Sequence, residues 1–333
     1  MRINFERSNL VTSDPDDHDL AEEVLRQSCR ANVALGFYPR FVGRKLPSDE
    51  RLLMGLERRS AKHCNPGDHW LDHVRCGSLD GFGTRDIGFF ELCAKFDSIE
   101  IWADPRPNDQ LVLIWLLNLL RPYREIVTKL SLVHADDIIA NYAAESVAKW
   151  KLPNFKVTEN QLVLASRAWR AYRAQTPEPC FDLLMTDLTI LPRLRSALIA
   201  VLEELPDSVT GLGATEMDLL DYVNDGETDP RIVCNGRLIR DVLGENDARD
   251  ALLELGGHPT PALVLGDPAF TNEDRYFCRS EWKLTLTELG RSLLAREDDM
   301  WRHNRIYRWW GGTELTNERL WRWDRESRLL IGP

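Results

Sequence analysis

The sequence has little that suits a membrane protein, a small secreted scaffold or a general nucleic-acid binder. Its longest apolar run, Leu111–Leu120, falls short of the roughly 20 residues of a membrane span and contains Asn118. The seven cysteines are odd in number and scattered through 333 residues, unlike a dense disulfide framework. Lys and Arg total 42 against 53 Asp and Glu, a net charge of -11, which disfavours a surface that wraps a phosphate backbone. We therefore expect a cytoplasmic protein with reduced thiols and no membrane contact.

Several common sequence signatures are also missing. The first residues, Met1–Glu6, lack the apolar core of a signal peptide, and no Asn-x-Ser/Thr sequon occurs. There is no Walker A loop, no Gly-x-Gly-x-x-Gly after a strand, no Gly-x-Ser-x-Gly elbow and no His-Glu-x-x-His. The glycine-rich stretch Gly77–Gly83 precedes no strong helix and indicates a turn. The sequence thus names no reaction, and we predict no cofactor.

The first half of the chain carries an α/β pattern. A strand is predicted over 32–38 and another over Ile99–Ala103, and a third over Lys129–His134. Between the last two, Asn108 can cap a helix whose body is apolar nearly all round, which indicates a buried helix. A strand, a helix and a strand in this order predict a right-handed crossover in a parallel sheet. Near the start, Ser13 or Asp14 can cap an earlier helix.

After Pro153 the pattern becomes mainly helical. Capping boxes are predicted at Thr158–Gln161 and Thr215–Asp218, and further helices over Leu191–Leu205 and Arg240–Leu255. A short strand follows, with Thr287 as the cap of a final helix, an order typical of a winged helix-turn-helix. The length also suggests two domains. We predict an α/β domain with parallel strands over 1–152, of which 1–88 is poorly defined, and a winged-helix-like domain over 153–333.

Polar residues follow both predicted parallel strands and form the candidate active site. Asp104 follows the first strand, Asp109 opens the next helix, and His134 ends the second strand. Ligands of open α/β sheets bind at the carboxyl ends of strands, and a carboxylate that orients an imidazole is a common general-base arrangement. We take these three residues as catalytic candidates, and Gln110 and Asp136 as ligand-binding candidates. Alternatively, Asp109 serves only the positive end of its own helix.

A second group has the residue types of a zinc site. His69 and His73 are four residues apart and Cys76 follows one turn later, with His63 and Cys64 just before them. Pro66-Gly67 interrupts the group and no Cys-x-x-Cys pair anchors it. A polar loop that enters a short helix is therefore the favoured interpretation, and we predict no metal.

The C-terminal stretch, Gly290–Pro333, is rich in arginine and tryptophan. It holds nine arginines against seven acidic residues, and Arg with Trp can stack on nucleic-acid bases. By contrast, Arg240–Leu255 holds five acidic residues and two arginines, which opposes DNA recognition by this helix. Mixed charges at this density more often form a salt-bridged surface over an aromatic core. We favour an aromatic clasp, with Trp321 and Trp323 buried, over exposed stacking residues.

Short motifs spread from about Phe90 to Asp324 resemble those of a known family. They include Trp102–Asp104, Asp109–Leu111, Leu162–Trp169, Gly211–Glu216, Leu284–Gly290, Asp299, Arg308–Gly312 and Trp321–Asp324. In order and spacing they resemble the bacterial domain-of-unknown-function 1835 proteins. The resemblance implies a bacterial protein with an α/β portion followed by a helical portion, and no established activity. Two features depart from the family pattern: Pro105 stands where members have histidine, and an opening Gly-Asp-Ser-like turn is absent.

Three functions are compatible with these patterns. The first is a binding or regulatory module for a small ligand or a protein partner. The second is a hydrolase or transferase that uses Asp104, Asp109 and His134 at the strand ends. The third is a nucleic-acid binder that uses the C-terminal arginines and tryptophans, which the acidic charge disfavours.

Overall fold

The computed structural model describes residues 1–6, 33–37, 39–76, 86–139, 150–234, 242, 245–266 and 283–333. The chain forms two compact units, and neither is continuous in sequence. Unit 1 comprises Met1–Phe41, Leu46–Arg170 and Asp187–Ala197. Unit 2 comprises Val42–Lys45, Ala171–Thr186 and Leu198–Pro333.

Unit 1 is built on a six-stranded sheet. In spatial order the strands run β3-β2-β1-β4-β5-β6. Only β4 and β5 are parallel among these neighbours, and the other four pairs are antiparallel. The predicted parallel pair is therefore confirmed, but the sheet as a whole is mixed. The strands are β1 (Arg2–Glu6), β2 (Val33–Phe37), β3 (Val74–Cys76), β4 (Ser98–Ala103), β5 (Leu130–His134) and β6 (Asn154–Lys156).

The helices of unit 1 are mostly short. The longest are α3 (Pro107–Leu120) and α5 (Glu159–Tyr172), and the last two residues of α5 fall in unit 2. The others are α1 (Asp49–Met54), α2 (Phe89–Ala94) and α4 (Arg124–Val127), with a 3₁₀ turn at Trp70–His73 and the start of α7 (Leu194–Leu202).

Helix α3 joins the parallel strands and is buried almost completely. Only Asn108, Asn118 and Leu119 among its residues are not fully buried, because the helix is apolar on every face. The predicted cap is wrong: Arg106 is the N-cap, since Pro107 is preorganised for the first helical position. The Asn108 side chain instead accepts a hydrogen bond from the Phe41 amide at 2.8 Å and donates one to the Pro39 carbonyl at 2.9 Å.

Unit 2 combines short helices with three antiparallel strand pairs. The helices are α6 (Glu178–Leu183), the end of α7, α8 (Ala214–Asn224), α9 (Pro230–Val233), α10 (Glu245–Gly257), α11 (Glu288–Leu294) and α12 (Met300–His303). The strand pairs are β7 (Leu263–Leu265) with β8 (Leu284–Leu286), β9 (Tyr307–Trp310) with β10 (Thr313–Thr316), and β11 (Arg322–Asp324) with β12 (Leu329–Ile331).

Of the three helix caps predicted after Pro153, two are found where expected. Thr287 accepts a hydrogen bond from the Gly290 amide and caps α11. Thr158 and Gln161 bond reciprocally at the start of α5, as a capping box does. The third prediction is wrong, because α8 begins at Ala214 and Glu216 reaches back to an earlier amide. Thr215 donates its hydroxyl hydrogen bond elsewhere, to Glu204 at 2.8 Å.

The C-terminal tryptophans form part of the interior of unit 2. Trp301, Trp310 and Trp323 are buried, and Trp321 is half-buried. The Trp310 indole donates to the Val201 carbonyl at 2.7 Å, and the main chain at Trp323 bonds to Pro206 and Ser208. The predicted aromatic clasp is thus confirmed for Trp323 and holds only in part for Trp321.

The unit boundary differs from the one predicted after residue 152. Strand β6 lies beyond that point yet pairs with β5, with Ser131 opposite Lys156. Arg121 and Arg124 also bind Glu159 at 3.0 and 2.8 Å. These contacts keep the chain in unit 1 as far as Arg170. The predicted helix near Ser13 and the turn at Gly77–Gly83 lie outside the described residues. Within the described part of the chain, none of the helices has both the length and the apolar character of a bilayer crossing.

Candidate functional site

Two of the predicted catalytic residues meet at the carboxyl end of β4. The Arg106 guanidinium lies 3.1 Å from a carboxylate oxygen of Asp104 and 3.2 Å from one of Asp109. The N-terminal ammonium of Met1, at the neighbouring end of β1, donates to Asp109 at 2.7 Å. We call Met1, Asp104, Arg106 and Asp109 the strand-end cluster. Both carboxylates are buried, so the two cations compensate charge that water cannot reach.

The two carboxyl groups of the strand-end cluster differ in proton affinity. Burial raises the pKa of Asp104 to about 6, and the adjacent charge of Asp109 adds to the rise. Burial also acts on Asp109, but the Met1 ammonium and Arg106 outweigh it and hold the pKa of Asp109 below its ordinary value. Asp109 is therefore the ionised member of the pair, and Asp104 is the member that holds a proton near pH 6.

We predict that wild-type stability falls as the pH rises through about 6, because of Asp104. Its folded pKa of about 6 exceeds the ordinary value of 3.8, so the native state binds the additional proton. The contribution of Asp104 to the stability of the folded state is complete below pH 3.8 and is lost above about pH 6. The free energy of unfolding should therefore fall by about 1.4 kcal/mol between roughly pH 5 and pH 7.5.

The variant Asp104→Asn lacks this titrating group and isolates its effect. Urea denaturation measures the free energy of unfolding of both proteins. The difference between wild type and variant should change by about 1.4 kcal/mol between roughly pH 5 and pH 7.5. Depression of the Asp109 pKa acts only below the ordinary carboxyl range and does not interfere. Parallel pH profiles for the two proteins would contradict the assignment.

His134 does not join the aspartates. Both of its ring nitrogens are buried without a hydrogen-bond partner among the described residues. Burial and the nearby Arg193 lower its pKa, so the ring is neutral. In the β4–β5 register His134 lies opposite Ala103, one residue before Asp104. Because successive side chains of a strand point to opposite faces, His134 and Asp104 point apart.

The two predicted ligand-binding residues also have separate roles. The Gln110 amide donates to the main-chain carbonyl of Asp104 at 2.7 Å, and its buried oxygen has no partner among the described residues. Asp136 is exposed and pairs with Arg193 at 2.7 Å. Gln110 therefore supports the loop that carries the strand-end cluster, whereas Asp136 makes a surface ion pair.

The histidines of the suspected zinc group bond to the main chain. The Nε2 atoms of His63, His69 and His73 lie 2.9 to 3.1 Å from the carbonyls of Met54, Glu57 and Gly67. Burial lowers the pKa of His69, and the charge of Arg59 adds to this. Cys64 is exposed, and the side chain of Cys76 lies outside the described residues. In the described ranges no three His, Cys, Asp or Glu residues are arranged to hold a metal ion.

A cavity of about 320 Å³ lies within unit 2 and was not predicted from the sequence. We call it the acidic–aromatic cavity after its lining, which combines carboxylates, aromatic rings and two arginines. Three lining carboxylates lie on one face of α10, because residues three and four apart share a helix face. The lining residues of these classes are Glu204, Glu216, Asp247, Asp250, Glu254, Tyr307, Trp309, Trp310, Arg44 and Arg308.

Arg308 organises the interior side of the acidic–aromatic cavity. Its guanidinium bonds to both carboxylate oxygens of Glu216 and, through Nε at 2.9 Å, to Glu254. The same group lies over the Trp301 ring, 4.8 Å from the ring centre. Burial opposes the charged form, but Glu216 and Glu254 outweigh it and raise the pKa of Arg308. Arg308 is therefore a permanent cation, and three of its five N–H groups donate to carboxylates.

The mouth of the acidic–aromatic cavity is more open. Tyr307 is 69% exposed and Trp309 is half-buried. The Lys45 ammonium lies 4.4 Å from the centre of the Trp309 ring, a cation–π contact, and Arg44 pairs with Asp247 at 2.7 Å. At this mouth, an aromatic ring and a carboxylate thus each bind a cationic side chain of the protein.

One sequence signal could have revealed this cavity. The acidic residues of Arg240–Leu255 oppose DNA binding, and Asp247, Asp250 and Glu254 also follow a helical spacing around Ala251. Arg308 and Trp309, which line the same cavity, are more than 50 residues away along the chain. Local patterns do not show which distant segment covers such a face.

The C-terminal arginines are mostly engaged in ion pairs. Five of the nine bind carboxylates of unit 2: Arg296 and Arg325 pair with Asp207, Arg308 with Glu216, Arg319 with Glu314, and Arg322 with Asp299. Together with the buried tryptophans, this pattern is that of a salt-bridged surface over an aromatic core.

In comparisons with protein-family models, curated proteins and solved structures, nothing matches this chain.

Proposed function

We propose that the protein is a small-ligand-binding module whose site is the acidic–aromatic cavity. The observation that carries the proposal is a cavity of about 320 Å³ with polar, charged and aromatic walls inside one compact unit. Ligand sites of proteins typically measure roughly 300–1,000 Å³ and combine apolar walls with a few convergent polar groups. Val42, Pro206 and Leu315 supply apolar walls beside the charged residues.

A hydrolase or transferase at the strand-end cluster has weaker support. Asp104 and Asp109 are 1% and 2% exposed, and Arg106 and Met1 already neutralise them. His134, the expected partner for general-base chemistry, points away. A substrate would have to displace Arg106 before it reached either carboxylate, whereas the acidic–aromatic cavity is open at Tyr307.

A nucleic-acid function also has weaker support. Phosphate binding needs arginines that project from one face, and five of the nine C-terminal arginines bind acidic side chains instead. The lining of the acidic–aromatic cavity holds five carboxylates against two arginines, the wrong balance for a phosphate.

We also propose two finer structural assignments. The order α8, α9, α10 followed by the β7–β8 pair supports a winged-helix-like arrangement in unit 2, with the strand pair as the wing. The motifs from Phe90 to Asp324 support a relationship to the bacterial domain-of-unknown-function 1835 proteins. Both assignments are compatible with a ligand-binding module, because neither family nor fold prescribes a reaction.

Filling the acidic–aromatic cavity should abolish ligand binding. Ala251 lines it from α10, and the variant Ala251→Trp would place an indole in the space. Binding can be followed by saturation-transfer difference NMR with three probes that share a phenylethyl group: 2-phenylethylamine, 2-phenylethanol and 3-phenylpropionate. We expect at least one probe to bind the wild type and to lose at least about ten-fold in affinity in the variant, a loss of about 1.4 kcal/mol.

The matched control is Asn224→Trp, which adds the same ring at the exposed end of α8. It should leave binding unchanged, and thermal melts should show that both variants are folded. Equal binding by the wild type and Ala251→Trp, or no binding by any probe, would refute the proposal.

A further inference from the structure

We propose that the acidic–aromatic cavity selects a small organic cation, a single ammonium or guanidinium group on an apolar stem. This inference rests on the proposed function, since it names the ligand class of the same site. Three features favour such a cation: the charge of the lining, the cations that lie over aromatic rings, and the ion pairs that both lining arginines already make.

The carboxylates of the lining outnumber its cations. Five carboxylates face two arginines, and one further cation, Lys45, lies over a lining ring. Arg308 serves Glu216 and Glu254, and Arg44 serves Asp247. Asp250 is exposed on the same face of α10, and no cation pairs with it in the described part of the chain. A cationic ligand at Asp250 would reduce the excess of negative charge.

The aromatic rings supply the second element of cation recognition. The Lys45 ammonium and the Arg308 guanidinium each lie over an indole, at 4.4 and 4.8 Å from the ring centres of Trp309 and Trp301. The face of an aromatic ring attracts a cation through its quadrupole, most strongly for tryptophan. Lys45 is the last residue of a short exposed segment, so a ligand ammonium can compete with it for Trp309. Lys45 thus acts as an internal competitor of the ligand.

An anionic ligand is disfavoured at the same place. Arg308 is half-buried and already binds two carboxylates, and Arg44 is bound to Asp247. An anion at either arginine would therefore lie beside the carboxylates that the arginine already binds. The apolar residues Val42, Pro206 and Leu315 suit an apolar stem rather than a second charge.

The test compares 2-phenylethylamine, which is a cation at pH 7, with 2-phenylethanol and 3-phenylpropionate, which have a similar stem. The cation should bind at least five-fold more tightly than either. The variant Asp250→Asn should weaken binding of the cation about two- to five-fold, as expected for one partly exposed ion pair. The control Asp225→Asn removes the same charge at an exposed position outside the lining and should have no effect. Lys45→Ala should strengthen binding of the cation, because it removes the competitor from Trp309.

The source of the cation is distinguished by one further probe. We propose a free amine as the ligand, and Nα-acetyl-lysine methylamide presents the same ammonium group on a peptide backbone. Tighter binding of the free amine than of the lysine derivative supports the proposal, whereas the opposite order overturns the free amine in favour of a peptide side chain.

The outcomes separate the ligand class from the site. If the alcohol or the carboxylate binds as tightly as the amine and Ala251→Trp blocks it, the cation proposal fails and the ligand-binding site stands. If Ala251→Trp has no effect on any probe, both proposals fail. If Lys45→Ala weakens binding of the amine, the competition argument is wrong and the cation proposal is overturned with it.

Discussion

Replacing Asp109 with alanine should destabilise the protein by about 3–5 kcal/mol, the cost of removing one partner of a buried ion pair. Asp109 is 2% exposed and binds both the Met1 ammonium at 2.7 Å and Arg106 at 3.2 Å. Without the carboxylate, the buried ammonium loses its ion pair at 2.7 Å, and Asp104 is the one acidic side chain that remains in the strand-end cluster. Asp109→Asn should cost less, because its amide oxygen can still accept a hydrogen bond from the ammonium.

The matched control for Asp109 is Asp136→Ala at the same edge of the sheet. Asp136 also pairs with an arginine at 2.7 Å, but its side chain is 81% exposed. Its loss should cost less than about 1 kcal/mol, as for other exposed ion pairs. Urea denaturation at pH 7 measures both. Similar small losses for the two variants would show that the strand-end cluster contributes no more than a surface contact.

Replacing Arg308 with methionine should also cost about 3–5 kcal/mol, because it leaves the buried carboxylate of Glu216 without its cation. Glu216 is nearly completely buried, and its carboxylate also accepts the Gly213 amide at the start of α8. Methionine keeps an apolar stem near Trp301, so the loss measures the charge rather than the packing. Because Arg308 lines the acidic–aromatic cavity, the variant should also bind the probes more weakly than the wild type does.

A double-mutant cycle identifies the cause of this loss. Glu216→Gln combined with Arg308→Met removes both charges, and the pair should recover a large part of the stability lost by Arg308→Met alone. The control Arg319→Met lies just beyond the same strand pair, and its ion pair with Glu314 is 3.6 Å long and partly exposed. It should cost less than about 1 kcal/mol. Strict additivity in the cycle would contradict the ion-pair account of Arg308.

The sequence predicts those strands and helices that a local pattern of residues specifies. The strands β4 and β5 and helix α3 follow from apolar runs bounded by polar residues, and the parallel pairing follows from their order. The cap of α3 was mispredicted because Pro107 fixes the first helical position while Asn108 is used by a distant loop. The antiparallel strands β1 and β2, whose pairing makes the sheet mixed, gave no signal of their direction.

The candidate site residues also differ in whether a local sequence pattern or long-range packing places them. Asp104 and Asp109 are five residues apart along the chain with Arg106 between them, so their common contact with Arg106 could be expected from the sequence. His134 could not be placed, because a register shift of one residue moves a side chain to the other face of the sheet. The acidic–aromatic cavity is assembled from segments between Val42 and Leu315, and such long-range packing leaves no periodic pattern.

A crystal structure of the protein with 2-phenylethylamine tests the central claim most directly. The account predicts ligand density in the acidic–aromatic cavity, with the ammonium near Asp250 and the face of Trp309 and the phenyl ring against the apolar wall. The Lys45 ammonium should have moved away from the Trp309 ring. Ligand density at the strand-end cluster with an empty acidic–aromatic cavity would contradict the proposed binding site. An unmoved Lys45 with the ligand bound elsewhere would contradict it as well.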